Sequence, residues 1–177
     1  MLNEQAKDQL KLVHTQGVAA WQDRRRSPAS MFGTQETEFL ISIGCSAQEM
    51  FDFVDDLLGY GEPDYETVLR IQDIRYSYFT KVMNLRHSEY IASMAALPSK
   101  ATAVDGISWL PRLIVKARLK LRGEMPPDLM YGCGGDRPFL RRMGMTLPSF
   151  LQLVWDHYDD DRAIVDAVKK SAKSVSS

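Results

Sequence analysis

The chain has 177 residues, of which 45% are apolar and 25% charged, and its 22 Lys and Arg against 23 Asp and Glu leave a formal net charge of -1. That length is enough to bury a sizeable core as one domain or two small ones, and the balance of signs disfavours a strongly basic nucleic-acid binder or an acidic tail protein. The opening stretch has no apolar core of signal-peptide length, and no run approaches the roughly 20 apolar residues of a membrane helix, so the expected setting is the cytoplasm, with no membrane partner and with Cys45 and Cys133 as free thiols.

Apolar residues recur at helical spacing nearly throughout, and few segments alternate with period two over the length of a strand. Residues 4 to 25 carry Leu10, Val13, Gly17, Ala20 and Trp21 at intervals of three and four, which predicts a first helix ending at Arg24-Arg25-Arg26 before Ser27-Pro28. Ser46-Ala47-Gln48-Glu49 reads as a capping box that opens a helix through Leu58. Gly59 to Asp64 is a turn cluster. Asp64 is placed to cap the run Val68, Leu69, Ile71, Ile74, Tyr78 and Val82, which extends toward Ala96 with a break near Asn84 to Ser88. Leu97 to Gly106 is the most linker-like stretch, and Ser108 is expected to cap a helix through Arg122 with Pro111 near its start. Further helices are expected from near Asp136 and after Thr146-Leu147-Pro148. The fold class is therefore all-α. The expected form is a single compact helical domain with an N-terminal half, residues 1-96, and a C-terminal half, residues 97-177.

A weak internal echo suggests how these halves arose. Phe39 to Val54 and Phe139 to Val154 share Phe, Leu, Gly and Val in register and match apolar or hydroxyl residues at five further positions. Gly44 and Gly144 each precede a helix cap, where a preceding short helix would end on a left-handed residue. Two diverged half-repeats about a pseudo-twofold would account for this. Upstream the copies differ: Tyr131-Gly132-Cys133-Gly134-Gly135-Asp136-Arg137 stands in the second, with no counterpart of its cysteine or paired glycines in the first.

That glycine loop is the sharpest candidate site. A thiol just before a helix start can be held as a thiolate, and the same helix start could instead hold a phosphate or carboxylate with Arg137 as the bidentate cation. A tight structural turn, with Asp136 as a cap and Cys133 as a small filler, is the alternative. Arg112, Lys116 and Lys120 recur every four residues on the preceding helix, opposite an apolar face of Leu110, Leu113, Ile114, Ala117 and Leu121. They form either a solvated basic edge or, at Arg112 and Lys116, part of a pocket shared with the loop. With Arg118, Arg122, Arg141 and Arg142 the segment is locally basic, but aromatic interleaving is absent and nucleic acid is not expected. His157-Tyr158-Asp159-Asp160-Asp161 lacks both calcium-loop and zinc-site spacing and reads as an acidic helix start. No metal and no cofactor are expected. His14 and His87 are isolated.

The stretch Gly106-Ile-Ser-Trp-Leu-Pro-Arg-Leu-Ile-Val-Lys-Ala-Arg118, followed by Tyr131 to Leu140 and Gly144, resembles a bacterial family known as domain of unknown function 5069. The resemblance covers about residues 97 to 172, although Gly134-Gly135 stand where many members have Pro-Leu. It implies no activity. It does imply that Trp109, Arg112, Lys116, Cys133, Asp136 and Arg137 act as one cluster. The reading that follows is a binding protein or enzyme for an anionic small molecule, its site lying between helix 108-122 and loop 131-137. Trp109, Arg112, Lys116 and Arg137 would bind the ligand. In an enzyme, Cys133 would be nucleophile or thiol acid/base and Asp136 its orienting carboxylate. The competing reading is a non-catalytic interaction or scaffold protein, or a homo-oligomeric module.

Overall fold

Asn3 opens the first helix by accepting the Ala6 amide at 2.8 Å, which satisfies one of the donors that every helix start leaves without a partner. The computed structural model describes residues 1-175 and divides the chain into two compact units, Met1–His87 and the segment from Ser88 onward. Helices dominate both, as the apolar periodicity predicts.

The N-terminal unit contains α1 (Glu4–Gln22), α2 (Pro28–Met31), α3 (Thr34–Ser42), α4 (Ala47–Tyr60) and α5 (Tyr65–Lys81). Its core joins Leu10, Val13 and Ala20 of α1 to Leu40, Met50, Val54, Val68 and Ile71. Gly17 lets α1 approach closely: a Cβ there would lie 3.1 Å from Val54 and 3.2 Å from Phe32. The capping box is formed, with the Ser46 hydroxyl accepting the Glu49 amide and the Glu49 carboxylate accepting the Ser46 amide. Asp64 caps α5 as expected. The run beyond it does not reach Ala96. Asn84 and Leu85 take positive φ of 51° and 60°, and the Leu85 amide turns back to the Phe79 carbonyl at 2.9 Å, so α5 stops at Lys81. Helix α2, one turn capped by Ser27, was not expected beyond the break at Pro28.

In the C-terminal unit the presumed linker holds a small hairpin, β1 (Ala103–Val104) and β2 (Ile107–Ser108), paired antiparallel with Ala103 opposite Ser108. Asp105 and Gly106 both have positive φ, the requirement of a two-residue type I′ turn. The Asp105 carboxylate accepts from Lys169 and Arg162, and the Lys169 bond leads in holding its pKa below the ordinary value. Ser108 therefore lies in a strand instead of capping a helix. The following helix, α6 (Leu110–Arg122), starts one residue later from Trp109. Then come α7 (Asp136–Arg142), α8 (Leu147–Asp156) and α9 (Asp161–Val175). Leu110, Leu113, Ala117 and Leu121 of α6 are buried with Phe150, Leu151 and Val154 of α8 and with Ile164 and Val168 of α9.

Both units repeat certain local solutions. Gly44 and Gly144 have φ of 74° and 68°, and the residue after each donates back to Leu40 and Leu140 respectively. Ser46 and Thr146 both cap the next helix.

Two groups give the N-terminal unit an opposed pH response. Burial raises the Asp52 pKa to about 7, with Glu49, Asp56 and Asp55 adding to the effect and the Gln48 amide opposing it. Its folded pKa exceeds the ordinary 3.8, so its favourable contribution is complete below that value and disappears as pH rises to about 7. Burial lowers the His14 pKa, so that contribution is present above the ordinary 6.5 and is lost as pH falls below it. Asp52→Asn is expected to raise the thermal midpoint at pH values above about 7 and to leave it unchanged near pH 4. Equal shifts at both pH values would remove Asp52 as the cause.

Candidate functional site

The hairpin delivers Trp109 to the start of α6 with φ of 75°, a strained backbone for a bulky residue. Its side chain explains why the strain is held. The indole Nε1 donates to Asp136 Oδ1 at 2.9 Å, and the ring lies over Gly135 so closely that a Cβ there would fall 2.3 Å from Cζ2. The Lys100 ammonium stands 5.7 Å from the ring centre, a cation–π distance.

Asp136 is fully buried and all its bonds point inward. Oδ2 accepts from the Lys116 ammonium and, at 2.9 Å, from the Gly132 amide. Lys116 Nζ also donates to Cys133 Sγ at 3.3 Å. Paired and multiply hydrogen-bonded, this buried carboxylate meets the condition under which a desolvated charge is tolerated. Arg137 Nη1 donates to the Gly132 carbonyl at 2.7 Å, and the Asp136 and Arg137 amides both return to the Cys133 carbonyl. The loop is thus closed on itself. Gly132 has φ of 92°, a backbone that favours glycine, and a Cβ on it would come within 2.9 Å of a Leu147 methyl group. Beside it the buried Tyr131 hydroxyl donates to the Leu147 carbonyl at 2.8 Å. Burial, and then the Asp136 charge, push the tyrosine pKa well above its ordinary value and keep that proton in place.

Of the residues expected to form one cluster, Trp109, Lys116, Cys133 and Asp136 meet directly, and Arg137 joins through Gly132. Arg112 turns instead to the Pro98 carbonyl at 2.9 Å and remains partly exposed. The basic row on α6 is not a solvated edge throughout: Lys116 and Lys120 are only 2% and 1% exposed, and Arg137 of α7 is likewise buried. Tyr131 was named only as the first residue of the loop, and neither Lys100 nor the separate duties of Gly132 and Gly135 were foreseen. The loop's glycine density signalled the two glycines, and Lys100 lies outside it.

Cys133 is half-buried, whereas Cys45 is sealed at 3% exposure. Among the described residues no group of three or more His, Cys, Asp or Glu could hold a metal ion, and no helix is long and apolar enough to cross a membrane. Away from the loop, Arg118, Tyr158 and Asp161 border an open groove in which the guanidinium is engaged by the Tyr158 carbonyl and the Asp161 carboxylate.

Every residue of the loop network lies in the C-terminal unit, within the stretch where a family comparison finds its match. Residues 95–177 match a domain of unknown function (DUF5069). The matched stretch takes in the hairpin, α6, the glycine loop and the three helices after it. No curated protein and no solved structure matches the chain.

Proposed function

We propose that the C-terminal unit is a small-molecule site whose reacting atom is the Cys133 sulfur, and that the protein binds or transforms an anionic ligand there. The observation that carries this reading is the contact of a half-buried thiol with a buried ammonium, itself fixed by Asp136. Cysteine sulfur is the nucleophilic atom of such a pair, and the ammonium fixes its position. In this arrangement Lys116 and Arg137 shape the site from within, and Arg112, partly exposed at the start of α6, is the cation left to meet a ligand carboxylate or phosphate. Trp109 offers an apolar wall. A reducing compartment such as the cytoplasm suits such a thiol. The two units are, in this reading, diverged copies of one helical design, of which the second acquired the loop.

Disulfide exchange with a set of small thiol-reactive fragments tests it. Carboxylate-bearing fragments should be captured at Cys133 and not at Cys45. Arg112→Ala should weaken their capture about tenfold, equivalent to about 1.4 kcal/mol, and leave neutral fragments unaffected. Absence of capture at Cys133 would instead favour an interaction module, the reading to which the exposed Tyr90, Ile91 and Met94 contribute.

A further inference from the structure

The Cys133 sulfur meets an amine on a residue that is only half-buried, and this pairing has a chemistry of its own. Lys116 Nζ lies 3.3 Å from Sγ on a side chain only 2% exposed. The thiol is half-buried beside Gly134, an exposed residue whose added Cβ would meet nothing nearer than Arg137 Nη2 at 3.9 Å. A small oxidant therefore has a way to the sulfur, while the nitrogen stays shielded from bulk water. We propose that Cys133 and Lys116 form a reversible peroxide-dependent cross-link, a sulfenamide that ties α6 to the glycine loop. The inference rests on the reading of Cys133 as the reacting thiol.

The oxidant is hydrogen peroxide. Sulfur attacks one peroxide oxygen, the O–O bond breaks, and the thiol proton leaves with the second oxygen as water, giving Cys133–SOH. Sulfur has lost two electrons and peroxide has gained them. Lys116 then passes one ammonium proton to the Asp136 carboxylate it already contacts, which frees the nitrogen lone pair. Nitrogen attacks sulfur, the S–O bond breaks, and the hydroxyl departs as water with a second nitrogen-bound proton. The products are Cys133–S–NH–Lys116, a protonated Asp136 and two waters for each peroxide consumed. The charge balance is favourable to the interior, because the buried cation and anion disappear together. Trp109 Nε1 and the Gly132 amide already bond Asp136 and hold its carboxyl in place. Flexion of the four-carbon lysine stem closes the remaining gap. An added thiol reverses the cross-link by attacking sulfur and releasing the amine, and a second thiol reduces the resulting mixed disulfide.

The cross-link would withdraw the thiol from its ligand and shelter it from irreversible oxidation. The test treats the full chain carrying Cys45→Ser with hydrogen peroxide and follows intact mass and tryptic peptides. The expected result is loss of two hydrogens, reversed by dithiothreitol, with the Cys133 peptide joined to one in which cleavage after Lys116 has failed. Gain of two or three oxygens at Cys133 with Lys116 still cleaved would overturn the proposal, as would a linkage from Cys133 to the Gly134 backbone nitrogen. Lys116→Arg should abolish the joined peptide, and the map of the lysine-containing chain decides the matter if that variant does not fold. Parallel alkylation of Cys133 separates the two ideas: a thiol that alkylates without cross-linking retains the site and removes the switch.

Discussion

Lys116→Ala is expected to destabilise the C-terminal unit by about 3–5 kcal/mol, the range for removing one partner of a buried ion pair. The lysine is 2% exposed and its partner Asp136 is fully buried, so the truncation leaves a carboxylate with no cation and no access to water. The Trp109 and Gly132 donors remain, but two neutral hydrogen bonds do not replace a charge. Hydrogen exchange of the α6 and α8 amides reads the loss where it occurs. A fall in protection of less than about tenfold, or about 1.4 kcal/mol, would mean that the pair contributes little. The double variant Lys116→Met, Asp136→Asn should recover much of the deficit, because it removes both charges together and leaves a side-chain oxygen for the indole.

Gly135→Ala should be nearly as damaging, although it adds one methyl group. The new Cβ would stand 2.3 Å and 2.6 Å from two atoms of the Trp109 ring. The ring cannot yield without giving up its bond to Asp136, and Trp109 already holds a strained backbone. Overpacking contributes about 1–3 kcal/mol, and loss of a hydrogen bond to a charged group about 1.5–3 kcal/mol more. Gly134→Ala is the control, since its Cβ would meet only Arg137 Nη2 at 3.9 Å. That change should stay within about 0.5 kcal/mol of the parent in a denaturant titration. Similar losses at the two glycines would show that the loop, not the Trp109 contact, is sensitive.

How far these features could be read from the sequence depended on the range of the interactions involved. The capping box at Ser46 and the Asp64 cap are contacts between residues three apart, and both were legible. The end of α5 was legible as a break near Asn84 to Ser88, but not its place at Lys81, nor the left-handed Leu85 that follows. The hairpin escaped because two-residue strands are too short to show alternation, although Asp105-Gly106 carries the turn chemistry. At the site the glycine loop and its thiol could be named from residue types, and the resemblance grouped the six polar and aromatic residues. The direction of each bond could not be inferred. Arg112, Lys116 and Lys120 share one spacing on α6, yet one stays partly exposed and two are buried. Which does which depends on a partner twenty residues away in sequence, Asp136 for Lys116.

The measurement that tests the central claim most directly is the rate at which Cys133 reacts with iodoacetate in the native chain, compared with the same thiol in the urea-unfolded chain. An anionic reagent probes the nucleophile and its cationic surroundings together. The account predicts faster modification of Cys133 when folded than when unfolded, with Cys45 protected in the native state. Slower modification of Cys133 on folding would contradict it and reduce the loop to a brace.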